Sequence, residues 1–247
     1  MARHEPIGKP AAAMLHNVHA LLEAVERLRN RKDHLPGLGC MYGPSGYGKT
    51  YACATAAAAL GAVHVEAKEH WGKREFVRAV ATALGIPMGR TIAETVDAIG
   101  DHMRDYQPVL LLDEADILVR KGMIEYARTF HMMSEAPVIL IGEENLPREL
   151  KRFERIHNRI LKGAWVPAQA ASLVDARALA EMFVDACRVE DDLLALIVST
   201  ARGVVRRIVT NLEEIEQAAI AEARSTADRA WWGKRGLDTG DAPARRL

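Results

Sequence analysis

The chain has 247 residues, enough to bury a full core and to form one large domain or a large domain with a smaller one. Lys plus Arg equal Asp plus Glu at 33 each, which excludes a globally basic chain and leaves any polyanion-binding surface to a local patch. Three cysteines, Cys40, Cys53 and Cys187, are too few and too scattered for a disulfide framework or a metal site, and no stretch reaches the roughly 20 apolar residues of a membrane span, so the expectation is a cytoplasmic protein with reduced thiols.

In residues 11–32, Leu15, Val18, Leu22, Val25 and Leu28 recur at steps of three and four, the stripe of an amphipathic helix. The short apolar run Leu38 to Tyr42 then predicts a strand that delivers Gly43-Pro44-Ser45-Gly46-Tyr47-Gly48-Lys49-Thr50, the spacing of a P-loop, followed by a helix that takes in Tyr51. Gly43, Gly46 and Gly48 let successive backbone N–H groups turn toward phosphate oxygens, Lys49 reaches the β- and γ-phosphates, and Thr50 ligates magnesium.

The run AVHVEA predicts a second strand, and the segment after it holds Lys68, His70, Trp71, Lys73 and Arg74. A basic loop with an aromatic ring suits nucleic acid, by charge on phosphate and stacking on bases; a solvated helix start with Trp71 packed inward accounts for it equally well. Residues 76–84 and 92–103 predict two helices, the second capped by Thr91 with Glu94 three residues on. Pro108 to Leu112 form a continuous apolar run, the mark of a strand buried on both faces, ending in Asp113 and Glu114. Behind a P-loop, such an acid pair matches a Walker B element: Asp113 holds magnesium through water and Glu114 polarises the attacking water. Arg120 and Lys121 are expected in a loop, and the Met-bearing helix after them in the core.

Residues 137–142 predict a further buried strand, leaving Glu143, Glu144 or Asn145 where a γ-phosphate sensor is expected. The helix expected next carries Arg152, Arg155 and Arg159, and Ala164 to Val166 supply a fifth strand. From Ala171 the pattern is helical, which sets a domain boundary near 168. The expected organisation is a P-loop α/β domain over 1–168 with its N-terminal helix, a helical domain over 169–225, and a flexible tail over 226–247.

P-loop, late Asp-Glu, polar strand end, arginine-bearing helix and small helical C-terminal part together resemble the AAA+ ATPases, and within them the transposition ATPases exemplified by phage Mu transposition protein B and its relatives in Tn7-like elements. The resemblance covers residues 11–225 and implies a parallel sheet of order 5-1-4-3-2 with a helical lid. Asn158-Arg159-Ile160 resembles the Ser-Arg-Cys element of clamp loaders, which makes Arg159 the expected arginine finger, with Arg152 and Arg155 as alternatives. Gly203-Val204-Val205-Arg206 resembles the sensor 2 motif of the initiator clade and sets Arg206 over the γ-phosphate. The helix-turn-helix domain of the Mu protein has no counterpart in the residues before the first strand, so DNA binding falls to loops 68–74 and 118–122.

The function so implied is an ATP- and Mg2+-dependent ATPase that assembles as a ring or filament on double-stranded DNA, with weak sequence preference, and recruits or stimulates a transposase. A helicase loader shares the core and differs in partner. A non-hydrolysing scaffold would leave Glu114 and Arg159 without work, and a P-loop kinase would carry its lid as an insertion between strands.

Overall fold

The computed structural model describes residues 12–240, which divide into two compact units. The larger comprises residues 17–45 and 49–168; the described part of the smaller comprises 12–16, 46–48 and 169–240.

The larger unit is built on five parallel strands in the order β2-β3-β4-β1-β5: β1 Leu38–Tyr42, β2 Val63–Glu66, β3 Leu110–Asp113, β4 Val138–Gly142 and β5 Ile160–Pro167. Read from the other edge this is the expected order 5-1-4-3-2. β3 and β4 are buried along their whole length because every residue before the terminal Asp113 or Gly142 is apolar, as a strand covered on both faces requires. α1 His16–Arg29 precedes β1, and between the strands run α2 Lys49–Leu60, α3 Lys73–Ala83, α4 Ile92–Tyr106, α5 Ala115–Arg120 and α6 Glu125–Ser134. The apolar faces of α3, α4, α5 and α6 meet the sheet in a core that holds Phe76, Ile99, Leu118 and Phe130. On α1 the buried stripe passes through Leu21, Ala24 and Val25; Leu22 is only half-buried, one position off the expected stripe. Thr91 caps α4 as expected, accepting the Glu94 N–H at 3.1 Å while the Glu94 carboxylate accepts the Thr91 N–H at 3.2 Å.

Two stretches depart from expectation. The segment after β4 forms two short helices, α7 Leu146–Leu150 and α8 Glu154–His157, with Phe153 between them in a non-helical conformation. β5 is also longer than the three residues expected, beginning at Ile160 and shifting register against β1 between Leu38 and Cys40.

In the smaller unit α9 Leu173–Phe183, α10 Asp191–Ala201 and α11 Val205–Ala221 pack together, and β6 Arg188–Val189 pairs with β7 Thr226–Ala227. Residues 46–48 group with it: the Val205 N–H donates to the Gly46 carbonyl at 2.9 Å, and a Cβ on Gly46 would lie 2.7 Å from Val204. Where a flexible tail was expected, residues 226–240 carry β7 and α12 Arg229–Trp232, and Trp232 is buried. Trp231 donates its indole N–H to Glu222 at 2.7 Å and lies under the Arg235 guanidinium at 4.8 Å. Buried Asn211 exchanges two hydrogen bonds with the backbone of Asp238, at 2.7 and 3.1 Å. The first and last stretches of the expected organisation, 1–11 and 241–247, lie outside the described residues. Among the described residues no helix is long and apolar enough to cross a membrane.

Leu112, wholly buried on β3 between β2 and β4, tests the sheet. Leu112→Ala should lower unfolding free energy by about 2–5 kcal/mol in denaturant titration.

Candidate functional site

The carboxyl ends of β1, β3 and β4 gather the titratable residues singled out in the sequence. β1 ends at Tyr42, and Gly43 turns away with φ 158°, a conformation that suits glycine; a Cβ there would also lie 2.9 Å from Ala168. Gly46 and Gly48 have φ of 82° and 81°, so all three P-loop glycines occupy backbone conformations that side chains disfavour. Lys49 opens α2 and folds back over the loop, its Nζ donating to the carbonyls of Gly43 at 2.7 Å and Pro44 at 2.9 Å. Burial lowers the Lys49 pKa, and the charges of Asp113, Glu114, Asp116 and Glu143 oppose that shift.

Asp113 ends β3 and is 1% exposed. Burial alone would raise its pKa; the neighbouring His64 ring, the Thr50 hydroxyl and the Glu114 N–H outweigh that and hold it below the ordinary range. Thr50 and Asp113 thus meet across α2 and β3, an oxygen pair of the kind that holds Mg2+ in P-loop proteins, so the residues present fit the expected cation. Glu114 follows in a left-handed conformation, φ 55° and ψ 41°, as the residue before α5. Burial and the neighbouring acids raise its pKa.

Asp116 was not singled out in the sequence. It is 5% exposed on α5, and its Oδ2 accepts the Glu143 N–H at 2.8 Å. A Cβ on Gly142 would lie 2.1 Å from that oxygen, so the glycine and the aspartate are complementary. The available signal was the acid three residues beyond Asp113, in the first turn of α5. Of the three sensor candidates, Glu143 acts electrostatically on both Lys49 and Glu114; Asn145 stands before α7 without a side-chain capping bond. Cys53 and His64 also reach the neighbourhood of Asp113, a proximity that cysteine spacing alone could not reveal.

Within the larger unit, the expected arginine-finger residues lie elsewhere. Arg159 precedes β5, where its carbonyl accepts the Leu38 N–H at 3.0 Å; Leu38 begins β1 and Gly43 follows its end, so about 15 Å of strand separates them. Its guanidinium donates to the Arg155 carbonyl at 3.0 Å and approaches the Met132 sulfur at 3.2 Å. Arg152 and Arg155 are exposed, and Arg206 is exposed on the first turn of α11.

The expected DNA loops are corrected in part. Lys73 and Arg74 belong to the first turn of α3, because the Glu75 carboxylate accepts the Gly72 N–H at 3.0 Å and sets the helix start there. Trp71 packs half-buried against the core, and Lys68 lies 3.9 Å from Glu66. Arg120 ends α5 instead of lying in a loop; it pairs with Glu69, as does Lys121 at 3.9 Å. Much of the positive charge of that patch is answered within the chain.

A doubly wound parallel sheet with a glycine loop at the end of β1 and acids at the end of β3 defines a P-loop protein. The chain belongs to the AAA domain family, which it matches over residues 16–150, more than half its length. No curated protein matches it significantly. Among solved structures it is similar to ORC2 of Aeropyrum pernix, in ADPNP–ADP complexes, with a TM-score of 0.65 at 16% identity over 92% of this chain and 68% of that one. It is similar to ORC1 of Aeropyrum pernix in complex with DNA, with a TM-score of 0.61 at 19% identity over 91% and 65%. Cdc6p from Pyrobaculum aerophilum gives 0.60 at 18% over 90% and 66%. These likenesses show the fold, and the chain spans about two thirds of the length of those proteins.

The Asp116–Gly142 fit gives a coupled prediction. Gly142→Ala should destabilise by about 1–3 kcal/mol in chemical denaturation, and Asp116→Ala should recover part of that loss when combined with it. Additive single-mutant costs would show the two residues to be independent.

Proposed function

We propose that this chain is an ATP-hydrolysing switch that assembles on double-stranded DNA and recruits or stimulates a transposase. The observation that carries the ATPase reading is the meeting of Lys49, Thr50, Asp113 and Glu114 at one end of the sheet. The P-loop from Gly43 to Tyr51 wraps the phosphates, and Lys49 exchanges its two carbonyl partners for the β- and γ-phosphates. Thr50 and Asp113 would hold Mg2+, which would supply neutralisation of phosphate charge and polarisation of the γ-phosphate. Glu114 accepts a hydrogen bond from the attacking water and then its proton. Glu143 senses the γ-phosphate side, with Glu144 and Asn145 as alternatives. Arg206 serves as sensor 2, supported by the contact of its neighbour Val205 with Gly46.

Arg159 lies at the opposite end of β1 from its own P-loop, which supports a role as an arginine finger in a second copy's site. DNA binding is assigned to Lys68, Trp71, Lys73, Arg74, Arg120 and Lys121. Lys73 and Arg74 carry most of it, because Glu69 competes with phosphate for Arg120 and Lys121. Assembly multiplies individually weak phosphate contacts, so ATP acts as the signal that makes them effective. The transposase as partner rests on the sequence resemblance to transposition ATPases. A helicase loader, which shares the core and differs in partner, is the second reading, compatible with the fold shared with Cdc6p and ORC1. Co-purification with an integrase-fold transposase encoded beside it would select the first.

Glu114→Gln should keep ATP binding and lose about 10²- to 10⁴-fold in turnover, and near-parent turnover would overturn the assignment. Because the ionised carboxylate does the work and its pKa is raised, parent turnover should fall with decreasing pH at an inflection above the ordinary Glu value of about 4.3. Duplex binding by fluorescence anisotropy should require ATP, and Lys73→Ala with Arg74→Ala should reduce the logarithmic salt slope by about 2. Equal affinity with ATP, ADP and no nucleotide would remove the switch.

A further inference from the structure

The geometry points to a binding site for a thiophilic divalent cation of the zinc class, formed by Cys53 on α2, His64 on β2 and Asp113 at the end of β3. β2 and β3 pair in parallel with His64 opposite Leu111, so His64 shares a sheet face with Leu111 and, two residues on, with Asp113. α2 packs on both strands and brings Cys53 to the same spot. One ligand atom from each of the three residues falls within 4.8 Å of the others. His64 Nε2 and Asp113 Oδ2 stand 3.5 Å apart. Zinc bonds of about 2.0–2.3 Å at tetrahedral angles set neighbouring ligands about 3.3–3.8 Å apart, so this pair is already at ligand spacing and Cys53 has about 1 Å to close.

A second observation concerns how these atoms are satisfied. His64 Nε2 and Asp113 Oδ2 are both buried and face each other at 3.5 Å, longer than a well-formed hydrogen bond, and neither makes a hydrogen bond to any other group, a costly arrangement for an imidazole nitrogen and a carboxylate. A cation between them satisfies both. Its charge also balances: the Cys53 thiol gives its proton to solvent, and thiolate plus carboxylate neutralise two positive charges in a place where Cys53 is 0% and Asp113 1% exposed. The His64 side chain, 21% exposed, gives the ion an entry and leaves a fourth position for water. Occupation would engage Asp113 through Oδ2; only that consequence, slower turnover, rests on the ATPase reading.

The test uses the full chain, reduced and free of nucleotide, with Co2+ as the probe. One equivalent should produce the visible bands of four-coordinate cobalt together with a near-ultraviolet thiolate-to-cobalt charge-transfer band, and Zn2+ should bleach both. Cys187→Ser should retain the charge-transfer band. Cys53→Ser should lose it, and His64→Gln should weaken Co2+ binding at least tenfold while circular dichroism stays that of the parent. Absence of the band in the parent, its persistence in Cys53→Ser, or parent affinity in His64→Gln would each overturn the site. Since no nucleotide is present, a failure of the ATPase reading leaves this result unaffected, and active ATPase without the cobalt band rejects the metal site alone.

Discussion

Four carboxylates act on one ammonium group at the end of the sheet: Asp113, Glu114, Asp116 and Glu143 all bear on Lys49. Such an excess of negative charge repels an anion and attracts a cation. Asp116 is spent internally, fixed to the Glu143 N–H, and Asp113 is held by Thr50 and by the amide that follows it. Burial and the acids around it raise the Glu114 pKa.

The sheet explains why these groups converge. β3 and β4 are adjacent and parallel, with Leu112 opposite Leu140, so the residues just beyond each strand emerge at the same level. Asp116 then bridges from the first turn of α5 to the amide beyond β4, a connection that needs a residue without a side chain at Gly142. The buried apolar rows do the positioning; the polar groups at their ends inherit that accuracy.

What could be read from the chain follows from the range of each signal. The P-loop and the apolar run into Asp113-Glu114 are local patterns with fixed spacing, and strand order followed from the resemblance those motifs carried. Glu69 pairing with Arg120 and Lys121 spans about fifty positions and leaves no periodic trace, so the second basic segment looked freer than it is. The start of α3 at Lys73 depended on one carboxylate, Glu75, reaching back to Gly72, which the basic composition around it concealed. Asn211 gave no hint that it holds Asp238, and the Gly- and charge-rich composition beyond 226 pointed to a loose tail instead. His64 lay in an apolar strand pattern, and only the register against β3 brings it to Asp113.

Glu114 occupies the left-handed region although it has a Cβ, at a cost of about 1–2 kcal/mol that glycine would not incur. Under the role proposed for Glu114, thermodynamic and functional preferences diverge at that position: glycine would relax the turn into α5 and remove the carboxylate at the same time. A library screened only for thermal tolerance or expression would drift toward that replacement and enrich well-folded variants that lack the proposed base. Retention of an acid there under such a screen would have to come from a demand on activity, so the residue can report which of the two pressures a given selection applies.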